Sequence, residues 1–189
     1  DIMGLAFDNG NDVIYVVDDT LDKIYKASLP LGETTDPVAM AHDGTYLWLV
    51  TDGDAGTDKI LKLDADTGVL LASFDAPNDG IVGMTYFEGS LWLAYNEGGN
   101  YGGTTAKVVE VSTSDGSFDL GDAEDIPFNC CPAVTGLGNN GQELVAVADS
   151  TTVVSFDTDG NAGDIGSNSN FGGNKFSSGT SGFAYRAAG

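Results

Sequence analysis

Apolar residues fall in short runs of four to six, each bounded by Gly, Asp, Asn or Thr. No stretch of twelve or more keeps the i, i+3, i+4, i+7 spacing of an amphipathic helix. Val, Ile, Tyr, Leu and Trp fill the runs, as expected of strands separated by turns. The runs also recur as a set. The first set is Gly4-Leu5-Ala6-Phe7, a turn over 8–12, Ile14-Tyr15-Val16-Val17-Asp18 and Lys23-Ile24-Tyr25-Lys26. The second is Val38-Ala39-Met40-Ala41, a turn at His42-Asp43-Gly44, Leu47-Trp48-Leu49-Val50, Asp52 and Lys59-Ile60-Leu61-Lys62-Leu63. The third is Val82-Gly83-Met84-Thr85-Tyr86, Glu88-Gly89, Leu91-Trp92-Leu93-Ala94-Tyr95, Asn96 and Lys107-Val108-Val109-Glu110-Val111. The fourth is Thr135-Gly136-Leu137-Gly138, a turn over 139–141, Leu144-Val145-Ala146-Val147-Ala148, Asp149 and Val153-Val154-Ser155-Phe156. A fifth begins at Ser181-Gly182-Phe183-Ala184-Tyr185.

The anchors Leu5, Met40, Met84, Leu137 and Phe183 are 35, 44, 53 and 46 residues apart. A period near 45 with three or four strands per unit is the signature of β-propeller blades. A β-sandwich also has many short strands, but they need not resemble one another. The expectation is one all-β domain over 1–189, a β-propeller of about four four-stranded blades (2–36, 37–80, 81–132, 133–180), with 181–189 opening a further one. Trp48, Trp92 and Tyr15 are expected in the core between blades.

The stretch from Ile14 to Asp18 and on through Leu21-Asp22-Lys23-Ile24-Tyr25-Lys26-Ala27-Ser28-Leu29 resembles the blades of the broad propeller superfamily that includes NHL, YVTN and YWTD repeats. The resemblance covers about 2–160. The first blade is nearest the YWTD type, with Val16-Val17 where that type has Trp-Thr. It implies a propeller and leaves the activity open. A propeller must close, or its end blades expose apolar faces. Both ends of this chain supply an innermost strand, and one blade cannot hold two. The expectation is therefore part of a ring of about six to eight blades, the others lying in further sequence or in a partner chain.

Charge narrows the partners. Of 189 residues, 29 are acidic and 7 basic, a net charge of −22. Such a chain repels phosphate, which disfavours nucleic acid and anionic membrane surfaces. No apolar run approaches the roughly 18 residues of a membrane span. An apolar content of 41% is too high for a disordered acidic tail. The surface resembles those of proteins from salty surroundings, where self-repulsion is screened over about 8 Å or less. An extracellular or cell-surface location is expected, without standard N-glycosylation, since no Asn-x-Ser/Thr acceptor occurs.

In a blade the loop from second to third strand and the connection to the next blade share one end, called the top here. The extra residues gather there: the loop 96–106 with Asn96, Glu97, Asn100 and Tyr101, the connection 119–133 with Asp122, Glu124 and Asp125, and the stretch 159–180. Loops on a rigid scaffold carry function, so these seven residues are the binding-face candidates. The polar residue after each second strand (Asp18, Asp52, Asn96, Asp149) either closes its own loop or forms a cation-collecting ring.

Asp52, Asp54 and Asp58 space their carboxylates as in oxygen-rich Ca²⁺ loops, without the closing Glu of an EF-hand. The run 157–164 looks similar, but it aligns with Asp64-Ala65-Asp66-Thr67-Gly68 and Asp115-Gly116 at the third-to-fourth-strand hairpin, where Asp-Gly is turn chemistry. Cys130 and Cys131 are adjacent: a vicinal disulfide, bridges to other partners, or free thiols. One His completes neither a zinc site nor a top-face catalytic triad, since His42 falls in a bottom turn. Gly-x-Ser-x-Gly and phosphate loops are missing.

The sequence thus favours a non-enzymatic extracellular or surface module that binds a protein, a glycan or further blades of its own assembly, with Ca²⁺ as a candidate cofactor. The competing class is a propeller enzyme, either a metal-dependent lactonase or esterase or a quinone-dependent dehydrogenase. The apolar inner strands argue against a channel metal. A third reading is a structural subunit of a surface layer or filament.

Overall fold

The computed structural model describes residues 2–8, 13–18, 23–28, 35–53, 58–97, 105–127, 133–148 and 152–167. They form four antiparallel sheets, each a meander of consecutive strands. The first holds β1 (Ile2–Asp8), β2 (Val13–Asp18) and β3 (Lys23–Ser28). The second holds β4 (Thr35–His42), β5 (Tyr46–Gly53), β6 (Lys59–Asp64) and β7 (Leu70–Asp75). The third holds β8 (Ile81–Phe87), β9 (Ser90–Glu97), β10 (Thr105–Val111) and β11 (Glu124–Asp125). The fourth holds β12 (Val134–Asn139), β13 (Leu144–Ala148), β14 (Thr152–Phe156) and β15 (Ala162–Ser167). The chain is an all-β, partial β-propeller, and the four sheets are its blades. The expected opening strand at 181–189 lies outside the described residues.

Each blade's first strand carries the same irregularity. Its register with the second strand shifts between Ile2 and Gly4, Pro37 and Ala39, Ile81 and Gly83, and Val134 and Gly136. The residue after the shift is always Gly or Ala, and the sequence anchor follows it. Gly83 shows why. A Cβ there would lie 2.5 Å from the backbone nitrogen of Leu137, so the inner strands of blades 3 and 4 approach too closely for a side chain. The bulge and the small residue explain one recurring element of the repeat.

The runs are apolar throughout because the strands are buried on both faces. Along β9, Leu91, Leu93 and Tyr95 pack with Trp48, Val50 and Ile60 of blade 2. The alternate residues Trp92 and Ala94 pack with Leu137, Leu144, Ala146, Val154 and Phe156 of blade 4. Trp48 is fully buried and stacks on Phe74, with ring centroids 6.3 Å apart. Leu47, Leu49, Leu61 and Leu63 fill the other face of blade 2. The two expected core tryptophans are therefore where the repeat puts them.

Blade 3 departs from the expected pattern. Its fourth strand is two residues long, with Glu124 and Asp125 opposite Val108 and Lys107. A 3₁₀ turn, Leu120–Asp122, runs into it from the hairpin. The stretch 119–125 runs up the blade's outer edge from the hairpin and reaches the top end at Asp125, opposite Lys107. Only Ile126 follows as a buried apolar residue, so the segment lacks the run that a full strand needs.

Candidate binding face

The top end is built on side chains that tie one blade to the next. Asn96, near the end of β9, is half-buried. Its Oδ1 accepts the Val134 backbone N–H at 2.8 Å, and its Nδ2 donates to the Val134 carbonyl at 3.0 Å. The amide thus acts as one extra strand residue beside the start of β12. The equivalent start of β8 is held by a different residue. Asp58, 2% exposed, accepts the backbone N–H groups of Gly80 (3.0 Å) and Ile81 (3.2 Å) through Oδ2. Its own carbonyl accepts the Ala76 N–H at 2.8 Å. Asn96 stands opposite Ala106, and the same step beyond the Thr51–Lys59 pair puts Asp52 opposite Asp58. The clamp occupies one cross-strand position in both blades, but comes from the second strand in one and the third in the other.

This gives the polar residue after the second strand a different role at Asn96. It neither closes its own loop nor joins a cation ring, but bonds to the next blade. Asp52 is exposed at the end of β5, while Asp54 lies outside the described residues. Among the described residues no group of three His, Cys, Asp or Glu side chains is placed to hold a metal. Cys130 and Cys131, like Asn100 and Tyr101, also lie outside the described residues.

Glu97 is exposed and paired with Thr105, so the 98–104 loop springs from a paired base. Beside it, Lys107 donates to Asp125 Oδ1 at 2.7 Å. That bond, reinforced by the charges of Asp125 and Glu97, raises the Lys107 pKa against the effect of burial. Burial, with Glu97 nearby, also raises the Tyr95 phenol. Glu124 is half-buried, and a Cβ on Gly160 would come within 3.2 Å of its own Cβ. Asp122 is exposed in the 3₁₀ turn on the outer edge. Of the seven candidates, Asn96, Glu97 and Asp125 therefore share the top of blade 3, and Asp122 stands apart from them.

At the bottom, Asp64, Asp115 and Asp157 close the outer hairpins. Asp64 accepts from Thr67 Oγ1 and the Thr67 and Asp66 N–H groups, Asp115 from Ser117, and Asp157 from Asn161 and Asp159. These bonds favour the carboxylate and lower all three pKa values. The Asp-Gly turn reading of these segments describes them correctly.

Sequence reasoning missed two bottom features. Asn139 Nδ2 donates back to blade 3, to Thr85 Oγ1 at 2.8 Å and the Tyr86 carbonyl at 3.0 Å. The available signal was that Asn139 aligns with His42 and Tyr86, as the one amide in the set. Asp43 does more than close its turn: its Oδ2 accepts the Trp48 Nε1–H at 2.8 Å. Trp92, the equivalent indole in blade 3, is buried with no partner for Nε1: Phe87 stands at the position of Asp43, and the one acid of the two-residue hairpin, Glu88, is exposed. His42 is exposed at the end of β4.

No protein-family model matches the chain, and no curated protein matches it. Solved structures do. U3-55K aligns at 19% identity and a TM-score of 0.51, over 88% of this chain and 53% of that one. The complex of KlAtg21 with the coiled-coil of AgAtg16 aligns at 14% and 0.51, over 83% and 52%. Kuenenia stuttgartiensis hydrazine synthase aligns at 14% and 0.53, over 82% and 43%. The chain thus spans about half the length of the structures it matches. At these identities the likeness speaks for the fold alone and does not single out the NHL, YVTN or YWTD type. What it establishes is a chain similar in fold to β-propeller-like proteins.

Proposed function

We propose that this chain is the interaction-bearing part of a non-enzymatic β-propeller, binding a protein partner through the loops at the top of blades 3 and 4. The observation that carries this is the paired and clamped base of the 98–104 loop. Glu97 pairs with Thr105, Asn96 is bonded to blade 4, and Lys107 holds Asp125 beside them. The described ends of the segment 98–104, which carries Asn100 and Tyr101, are thus held by the blade, and segments carried on a rigid scaffold are where binding function concentrates. Similarity to the complex of KlAtg21 with a coiled-coil supports a protein as the ligand class. The net charge of −22 fits a partner met in salty surroundings outside the cell, where self-repulsion is screened.

A photo-crosslinking residue in place of Tyr101 tests this in the native host. A discrete protein adduct that disappears in Asn96→Ala supports the reading, because Asn96 ties the end of β9 to blade 4 and is not itself the crosslinking position. Adduct formation equal to that from a crosslinker at exposed Ser73 would overturn it.

A further inference from the structure

Ile81 and Val134 hold equivalent places in blades 3 and 4, just before the register shift of the inner strand. Each gives its backbone N–H to the blade before it: Ile81 to Asp58 at 3.2 Å, Val134 to Asn96 at 2.8 Å. The residue at this place in blade 2 is Pro37, ahead of the shift to Ala39. Proline has no N–H. Whatever blade 1 offers, the bond common to the other two junctions cannot form at this one.

The neighbouring position carries a second difference. Asp36 and Asp52 face each other as cross-strand partners of β4 and β5. Like charges directly opposite on a sheet are destabilising. The matching positions are Gly80 and Asn96 in blade 3, and Ala133 and Asp149 in blade 4, neither of which sets two charges together. Lys59, which follows Asp58, is engaged by Asp75. On the blade 1 side, the residues one step beyond the Asp18–Lys23 pair are Asp19 and Asp22, which lie outside the described residues. Lys23 is the one base there against three acids. The face of blade 2 turned away from blade 3, on the side of this junction, carries the buried Leu47, Leu49, Leu61 and Leu63.

We propose that the junction between blades 1 and 2 is a salt-controlled joint, closed at high ionic strength and the first to open at low, uncovering the leucine face of blade 2. The screening length runs from about 3 Å at 1 M salt to about 30 Å at 0.01 M, so the Asp36–Asp52 repulsion is nearly silent at the first and fully felt at the second. The other two junctions keep the N–H bonds of Ile81 and Val134 at both. Amide hydrogen exchange on the whole chain at these two salt concentrations tests the joint. On lowering the salt, protection at Val16 in β2 should fall about fivefold more than at Leu93 in β9, both being in the second strand of their blades. A neutral apolar dye should bind in step with that loss. Asp36→Asn, which leaves the backbone untouched, should remove most of the excess. Asp66→Asn changes the net charge equally at an exposed hairpin and should leave it in place. Adding Pro37→Val to Asp36→Asn supplies the missing donor and should raise protection at Val16 at both concentrations. Equal losses at Val16 and Leu93, an excess that survives Asp36→Asn, or one that Asp66→Asn removes as well would each overturn the proposal.

Discussion

The junction between blades 2 and 3 and that between blades 3 and 4 solve one problem with different chemistry. Both must pin the start of an inner strand to the blade before it. The first uses a buried carboxylate, Asp58, which only accepts, and so holds two N–H groups. The second uses an amide, Asn96, which both accepts and donates, and so holds one residue's N–H and C=O. The bottom ends differ too. Tyr86 packs into the apolar core of the first junction, where Asn139 at the equivalent position bonds back across the second. The first junction is more aromatic and the second more amide-bonded. A repeat protein can thus keep the geometry of a joint while exchanging the residue that makes it, because the backbone groups to be satisfied stay the same.

Removing the aromatic centre of the first junction should have the largest effect. Trp48→Ala is expected to cost about 3–5 kcal/mol, enough to threaten folding, as read by urea melts. The comparison sharpens with phenylalanine. Trp48→Phe strands an Asp43 oxygen, whereas Trp92→Phe removes a buried donor that has no partner. Trp92→Phe should therefore destabilise less than Trp48→Phe, and equal losses would mean that Asp43 adds nothing.

Next come the clamps. Asp58→Ala and Asn96→Ala each leave backbone groups unsatisfied, worth about 1–3 kcal/mol apiece. Asn96→Asp should cost at least as much as Asn96→Ala, because it turns a carboxylate oxygen toward the Val134 carbonyl. Thermal melts of the three variants decide this.

Acid should weaken the first junction through Asp43. Burial pushes its pKa up, but hydrogen bonds from Tyr46, Trp48 and Thr45, with His42 nearby, bring the net value below the ordinary 3.8. A lowered folded-state pKa contributes stability that is present above the unfolded value. That stability is lost as pH falls through the folded one, so the window lies below 3.8. In Trp48→Phe this part of the acid limb should shrink, as measured by melts below pH 4. An unchanged limb would remove Asp43 from the account.

The smallest effect belongs to the outer edge. Lys59–Asp75 and Lys107–Asp125 are cross-strand ion pairs at equivalent places in blades 2 and 3. Being largely exposed and screened, each should be worth less than about 1 kcal/mol, and Lys107→Ala should fade into the baseline at high salt.

Much of this was legible along the chain. The blade repeat, the inner strands at Met40, Met84 and Leu137, the core tryptophans and the Asp-Gly hairpins follow from local pattern, because period and turn chemistry are local properties. The clamps were not legible. Aligning the residue after the second strand pairs Asp52 with Asn96, yet Asp58 does the equivalent work from the other side of a loop. Which of two facing side chains reaches the next blade is decided by packing, not by spacing. The short β11 was hidden for a related reason, since an outer strand is defined by the edge it pairs with rather than by its own sequence.

Amide hydrogen exchange at Ile81 and Val134, in the wild type, Asp58→Ala and Asn96→Ala, tests the clamps most directly. Asp58→Ala should speed exchange at Ile81 and spare Val134, and Asn96→Ala should do the reverse. If either variant loosened both amides equally, or neither, the two junctions would not be separately clamped, and the account of how these blades are joined would be wrong.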